Sequence, residues 1–183
     1  EIVGNHISNN VAGLDNRDKE FYKYQLKSVI AAACLAHDVG NPAFGHSGEA
    51  AISNYFEKFA DEIIEGKKLK DHCTLEEWQD LINFEGNANA IRILSRQYAG
   101  KSAGGLRLTY TTLASLLKYP CASNETNKMY KHRKKYGFFR SDQKMFEEIA
   151  ANTNMIKDDN AEQCYFRHPF VYLTEAADDI CYM

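Results

Sequence analysis

The chain has 183 residues, enough for one domain with a hydrophobic core, and its 44% hydrophobic and 26% charged residues are typical of a globular protein. The net charge of −3 excludes a general positive field for nucleic acid, and no apolar run reaches the roughly 20 residues that cross a bilayer. Neither an initiator Met nor a signal peptide is present, so we expect an internal fragment of a longer protein. Five scattered cysteines without a C-x-x-C pair predict reduced, cytosolic thiols.

Helical periodicity runs along most of the chain, and only three prolines interrupt it, so the expected fold class is all-α. The first predicted helix should be central, because its second half is apolar nearly all round. Thr74 and Glu77 form a capping-box pattern, and Ser141 is the predicted cap of a later helix. We expect loops over 66–70, 99–105 and 121–137. The predicted helices cover 19–36, 47–64, 74–83, 87–98, 109–119, 141–153 and 168–183.

The stretch HDVGNPAFGHSGEAA, at 37–51, places polar side chains directly after the apolar run VIAAACLA. His37 and Asp38 do not face each other on a helix, yet at its end both can reach one atom outside the groove between them. A divalent cation suits that position, because it takes an imidazole nitrogen together with a carboxylate oxygen. For an isolated pair, solvated or helix-capping side chains would be the commoner explanation.

His46 and Glu49 are spaced i, i+3 at the expected start of the second helix. This spacing puts the imidazole and the carboxylate on one face, within hydrogen-bond reach. A carboxylate on one ring nitrogen fixes the tautomer and makes the other nitrogen more basic, which suits a general acid or base. Alternatively, Glu49 is an acidic residue that the helix dipole favours in a first turn.

Glu175, Asp178 and Tyr182 fall on one face of the last predicted helix, at i, i+3 and i+7. Acidic residues in an otherwise apolar helix need partners if they are buried. A metal ion is the partner that would bring Asp178 to His37 and Asp38, whereas a solvated helix face is the alternative.

Five segments resemble the successive motifs of the deoxyguanosine triphosphate triphosphohydrolases, within the HD-domain phosphohydrolase superfamily. They are AHDVGNPAFGHSGEAA, FEGNANAIRIL, LRLTYTTLASLLKYP, KKYGFF and HPFVYLTEAADDICY, and they follow in the expected order over 36–182. The resemblance implies an HD-domain helical bundle, of which residues 1–183 would be a part. It also implies one divalent metal ion, which could be Mg, Mn, Fe, Ni or Zn.

The resemblance carries roles onto matching positions. It implies that the metal ligands are His37, Asp38 and Asp178, and that the catalytic pair is His46 and Glu49. It implies substrate contacts, with Arg92 as a further candidate, at Asn87, Lys118, Tyr119, Lys135 and, against the sugar, Tyr182. Prolines of the family are replaced at Ala43 and Tyr136. The family's first metal-binding histidine, in an RLTHS-like motif, would precede Glu1 and is not matched by His6, and the family's C-terminal half would follow Met183.

The implied activity is hydrolysis of dGTP, or of other dNTPs, to the deoxynucleoside and triphosphate in the cytoplasm, which would regulate dNTP pools. The implied partners are the nucleotide, further copies of the chain (related enzymes form hexamers) and a single-stranded DNA effector, with no membrane. Three alternatives stay open: an HD phosphodiesterase or nucleotidase with another substrate, a catalytically inactive fragment, and a non-catalytic interaction module.

The basic run 128–140, KMYKHRKKYGFFR, allows two interpretations. It is an exposed loop, or it contacts phosphates or single-stranded nucleic acid. The second interpretation rests on the mixture of cations with Tyr130, Tyr136 and Phe138, since bases stack on aromatic side chains.

Overall fold

The computed structural model describes residues 1–100 and 105–181. Over these ranges the all-α prediction is confirmed, because the only sheet that they contain is one hairpin with two residues in each strand. The helices are α1 (Ile2–Asn10), α2 (Asn16–Glu20), α3 (Leu26–Ala36), α4 (His46–Lys58), α5 (Leu75–Ile82), α6 (Gly86–Ser95), α7 (Tyr110–Leu116), α8 (Gln143–Asn152) and α9 (Val171–Cys181). The strands are β1 (Ile63–Ile64) and β2 (Lys67–Lys68), which pair antiparallel.

The core lies between α6, α7 and α8, and α3 packs against it from one side. Ile91 of α6 is fully buried beside Leu113 of α7 and Ile149 of α8. The rings of Phe138 and Phe146 stack with their centroids 4.1 Å apart. Helix α9 contacts both α3 and α7, so these three helices lie side by side at one edge of the core.

The first predicted helix is present, but it is less central than expected. A capping box of Asp15 and Asp18 begins α2, and a π-helical turn over Phe21–Gln25 connects α2 to α3. Only one face of α3 packs against α7, so Leu35 remains 88% exposed. The opposite face of α3 forms an open apolar groove with α1 and α9, lined for example by Ile30 and Ile180.

Two predicted segments end in the wrong place. The helix expected over 47–64 ends at Lys58, because Ile63 and Ile64 instead pair with β2. The turn between these strands contains Glu65 and Gly66, both with positive φ. The loop expected over 66–70 is therefore wrong in part, since it contains β2 and the start of a 3₁₀ turn.

The predicted capping signals differ in outcome. The capping box of Thr74 and Glu77 begins α5 and is confirmed. Ser141 does not cap α8, because Asp142 is the residue before the helix and the Ser141 hydroxyl instead accepts a hydrogen bond from Arg92. Helix α7 ends at Leu116, a few residues earlier than predicted.

The prediction of five reduced thiols is wrong for one pair. Cys121 and Cys164, both fully buried, are joined as a disulfide. Two backbone hydrogen bonds bring their segments together: the amide of Ala122 donates to Gln163 O at 3.1 Å, and that of Tyr165 donates to Pro120 O at 2.8 Å. The pairing lies 43 residues apart in sequence, so spacing alone gave no signal for it.

No helix within 1–100 or 105–181 combines the length and the apolar character that a membrane span requires.

In the basic run, Tyr136 and Phe138 are buried and cannot stack on bases. Arg133 is also buried, and its Nη1 donates to Asp158 at 3.3 Å. The nucleic-acid interpretation of this run therefore loses two of its three aromatic side chains and one cation.

Candidate active site

His37 follows the last residue of α3, and the structure fixes the protonation of one ring nitrogen. Its Nδ1 lies 2.7 Å from the carbonyl oxygen of Cys34. Because a carbonyl oxygen can only accept, Nδ1 must carry a proton, and in the neutral ring Nε2 has a lone pair. Nε2 lies 3.2 Å from an oxygen of Asp38 and 3.3 Å from an oxygen of Asp178. The predicted meeting of these three side chains is therefore present.

In the neutral ring, the lone pair of Nε2 faces two carboxylates, and a cation bound among them would relieve the repulsion. One imidazole nitrogen and two carboxylates form a donor set that divalent metals accept. A backbone carbonyl on the far ring nitrogen is the usual arrangement behind a metal-binding histidine. Asn41 also donates to Asp38 at 2.9 Å and so orients that carboxylate. Within the described part of the chain, however, no three or more His, Cys, Asp or Glu side chains form a ready metal site.

His46 begins α4 and pairs with Glu49 as the i, i+3 spacing predicts. Its Nδ1 lies 2.7 Å from Glu49 Oε2, while Glu49 Oε1 accepts from the amide of Gly86 at 2.8 Å. The carboxylate is 10% exposed, whereas the His46 side chain is 87% exposed. Glu49 is therefore a buried support behind an open imidazole.

The pKa of Glu49 is lower than usual. Burial raises it, but the hydrogen bonds from His46 and from the amide of Gly86, together with the charge of Lys135, more than offset that effect. The carboxylate is therefore ionised around neutral pH, and an ionised partner on Nδ1 increases the basicity of the opposite nitrogen.

The predicted phosphate-binding lysines approach from two other segments. Lys118 and Tyr119 follow α7, and Lys135 comes from the basic run. Lys135 Nζ lies 2.8 Å from Glu85 and 3.8 Å from Glu49. The same Glu85 side chain accepts a hydrogen bond from the side-chain amide Nδ2 of Asn87 at 2.5 Å. Glu85 thus orients two of the predicted substrate contacts.

One cavity of about 350 Å³ gathers these groups. Among the predicted site residues, Glu49 is mostly buried behind the cavity wall, and Tyr182 lies outside the described residues. Arg92 lies in a separate groove, where it donates to Asp142 at 2.8 Å and covers the Phe139 ring. The predicted site residues that line the cavity are His37, Asp38, Asp178, His46, Asn87, Lys118, Tyr119 and Lys135.

The sequence prediction assigned no role to several other cavity residues. Glu175 was recognised only as a neighbour of Asp178 on one helix face, and it lines the cavity with Lys134. The i, i+3 spacing of Glu175 and Asp178 was the one available signal, because both side chains must then point the same way. Asn41 lies three residues after Asp38, but nothing in its type or spacing indicated that it orients this carboxylate.

Comparisons with known proteins show the family of the chain. A family model described as HD domain matches residues 17–135. A deoxyguanosinetriphosphate triphosphohydrolase-like protein of Pseudomonas aeruginosa (strain LESB58) is 42% identical over 157 residues, which are 86% of this chain and 34% of that protein. A protein of the same description from Listeria monocytogenes is 36% identical over 185 residues, covering 99% of this chain and 38% of the relative.

A deoxyguanosinetriphosphate triphosphohydrolase of Yersinia enterocolitica is 32% identical over 211 residues, covering 98% of this chain and 39% of the relative. This chain thus spans well under half of the length of these curated relatives. The family model, in contrast, covers more than half of the chain. The chain belongs to the HD domain family.

Proposed function

We propose that the protein hydrolyses dGTP, or another dNTP, to the deoxynucleoside and intact triphosphate with the help of a divalent metal ion. The observation that carries this proposal is the single cavity in which a histidine–carboxylate donor set, an oriented histidine and two lysines meet. The names of the curated relatives support the choice of dGTP. An HD-type phosphohydrolase activity is the coarser statement that the family membership supports.

The donor set of His37, Asp38 and Asp178 would hold the metal ion. When bound, such an ion polarises a phosphoryl oxygen as a Lewis acid. Its identity among Mg, Mn, Fe, Ni and Zn is left open by donors of this type.

The remaining groups act on charge and protons. Lys118 and Lys135 attract the triphosphate and balance its negative charge in the cavity. His46, oriented by Glu49, moves a proton to or from the attacking water or the leaving 5′ oxygen. The bond that breaks joins the 5′ oxygen to the α-phosphorus, and one water is consumed. Tyr182 remains the predicted contact to the sugar.

The wider role follows from this reaction. An enzyme that removes dNTPs regulates their pools, and we place it in the cytoplasm, where those pools are made. Homo-oligomers, with hexamers as in related enzymes, and a single-stranded DNA effector are part of the same proposal. For DNA, the exposed end of the basic run, with Lys128 and Tyr130, is the surface that remains available.

The test is product analysis after incubation of the full-length protein with Mn²⁺ and dGTP. We expect deoxyguanosine and intact triphosphate in equal amounts. Release of pyrophosphate or inorganic phosphate would instead indicate another HD phosphodiesterase or nucleotidase. The 183-residue chain is assayed in parallel, because it spans well under half of the length of its curated relatives. We expect weak metal binding and little or no turnover from this chain alone.

A further inference from the structure

Glu175 lies on α9 at the wall of the cavity and contacts three cations. Its side chain is 17% exposed. Oε1 lies 3.4 Å from Lys118 Nζ, and Oε2 lies 3.1 Å from Arg167 Nη1 and 3.9 Å from Lys131 Nζ. The carboxylate therefore connects the residue that follows α7, the basic run and the segment before α9.

Arg167 fixes the position of this carboxylate. Its side chain is 2% exposed, so it cannot turn towards solvent. Its Nη2 donates to the carbonyl oxygen of Lys131 at 3.1 Å, and its guanidinium carbon lies 5.6 Å from the centre of the Tyr119 ring. A planar guanidinium with these contacts has one orientation, and Nη1 then holds Oε2 of Glu175 in place.

The charges of this group do not balance. Three cations and one carboxylate leave a net charge of +2 beside the cavity, if Lys118, Lys131 and Arg167 are each protonated. Because Arg167 already neutralises Glu175, Lys118 is oriented by the carboxylate and keeps its attraction for an incoming anion. An acidic residue in a phosphate-binding wall is otherwise unfavourable, since like charges repel across a short distance.

We propose that Glu175 is a positioning residue for the triphosphate, which acts by holding Lys118 at the cavity wall, and that Arg167 sets its orientation. This inference rests on the proposed function, because it assumes that Lys118 contacts the polyphosphate. In this inference, Arg167 orients Glu175, and Glu175 in turn orients Lys118. Without it, these contacts would be a network of ion pairs with no further role.

The decisive variant is Glu175→Gln, because positioning and simple electrostatics predict opposite signs. Loss of a negative charge alone would tighten binding of an anion. Loss of positioning weakens it, by about two- to fivefold in Kd, the scale of one partly exposed ion pair. Binding of inorganic triphosphate to the full-length protein is measured by titration calorimetry. Glu57→Gln is the matched control, since Glu57 is exposed on α4 and the chemical change is identical.

A double-mutant cycle identifies the residue through which Glu175 acts. In a Lys118→Ala background, Glu175→Gln should cause no further weakening, because Lys118 is the side chain that it positions. Glu175→Asp is a second variant in case the glutamine protein does not fold. It keeps the charge but withdraws the carboxylate by one methylene, and we expect the same weakening.

The outcomes separate this inference from the proposed function. Tighter or unchanged triphosphate binding in Glu175→Gln, or equal weakening with and without Lys118, overturns the positioning role. Failure of the unmodified protein to bind triphosphate and to release it from dGTP overturns the proposed function first. With turnover intact, a raised KM at unchanged kcat in Glu175→Gln supports positioning of the bound substrate.

Discussion

Two histidines nine residues apart border the same cavity, and their surroundings are opposite. The Nδ1 atom of His37 donates to a neutral carbonyl oxygen, whereas that of His46 pairs with a carboxylate, in both cases at 2.7 Å. The Nε2 atom of His37 faces two further carboxylates, while the ring of His46 is largely open to solvent. Carboxylates beside Nε2 suit a histidine that binds a metal ion together with them. A carboxylate on Nδ1 suits a histidine that transfers protons through its other nitrogen.

The glycine turn between the two histidines makes this difference possible. Gly40 lies directly against α6, where a Cβ atom would come within 2.1 Å of Gly86 O. Its own carbonyl oxygen accepts a hydrogen bond from Asn89 at 2.9 Å. The turn thus ends α3 beside α9 and starts α4 beside Gly86, which also donates to Glu49.

The largest expected effect comes from His46→Ala, if its role is proton transfer. We expect turnover of dGTP by the full-length protein to fall by about 10²–10⁴-fold, the usual contribution of a general acid or base. Binding of Mn²⁺ should stay unchanged, because His46 makes no contact with the predicted ligands. His6→Ala, at an exposed position of α1, serves as the control. Undiminished turnover would remove His46 from the mechanism.

The reverse pattern is expected for His37→Ala. Loss of a ligand should lower the Mn²⁺ affinity of the full-length protein by more than about tenfold, as measured by titration calorimetry, since even supporting residues around a metal contribute that much. Turnover at limiting Mn²⁺ should fall in parallel and recover in part when Mn²⁺ is added. Equal Mn²⁺ affinity in the variant and the unmodified protein would contradict the ligand role and the contrast between the two histidines.

Local patterns in the sequence predicted the parts of the site that lie within one helix. The i, i+3 spacing was sufficient for His46 with Glu49, because both belong to the same turn. Contacts between distant segments, such as Arg167 with Lys131, depend on how loops fold onto the core and have no local pattern. The resemblance to a family supplied Lys118 and Lys135 as candidates, but their contacts with Glu175 and Glu85 became visible only in three dimensions.

The fold shows the same division. The capping box of Thr74 and Glu77 predicted the start of α5, because capping is a local interaction. The early end of α4 was missed, since Ile63 and Ile64 fit the apolar spacing of a helix, although their β-branched side chains favour a strand. The exposed face of α3 was missed because the sequence shows only which faces of a helix are apolar. Which of those faces is covered depends on the packing partners, and these are set by the tertiary fold.

A smaller effect is expected for Gly40→Ala, which should affect the role of His46 while the role of His37 is retained. The added Cβ would meet the backbone of Gly86 and Ala90 within 2.7 Å, so the turn or α6 must move. We expect a loss of about 1–3 kcal/mol in the free energy of unfolding, as for other overpacked sites, measured by denaturant titration. Because Gly86 supports Glu49, turnover should fall while Mn²⁺ affinity at His37 is retained.

Gly13→Ala is the comparison for that variant, since nothing lies within 4 Å of a Cβ atom there and only a positive φ of 84° opposes the change. Its expected cost is about 1–2 kcal/mol, with no effect on turnover after correction for the folded fraction. Equal turnover in both glycine variants would mean that the turn does not transmit its strain to the His46 side.

The smallest effect concerns the pH dependence of stability through Glu49. The folded-state pKa of this carboxylate lies below its ordinary value, so the unfolded chain takes up its proton first as the pH falls. Its contribution to stability is therefore complete above the ordinary pKa and is lost as the pH falls through the lowered one. Glu49→Gln should reduce the free energy of unfolding at pH 7 by about 1 kcal/mol or less, because glutamine can still accept from Gly86.

Denaturant titrations at pH 7 and in mild acid measure this difference. The gap between the variant and the unmodified protein should narrow as the pH falls, because protonation removes the same charge that the substitution removes. A gap that stays constant would assign the effect to packing rather than to the ionised carboxylate. A gap that narrows would show that the carboxylate paired with His46 is ionised in the folded protein, as its role in proton transfer requires.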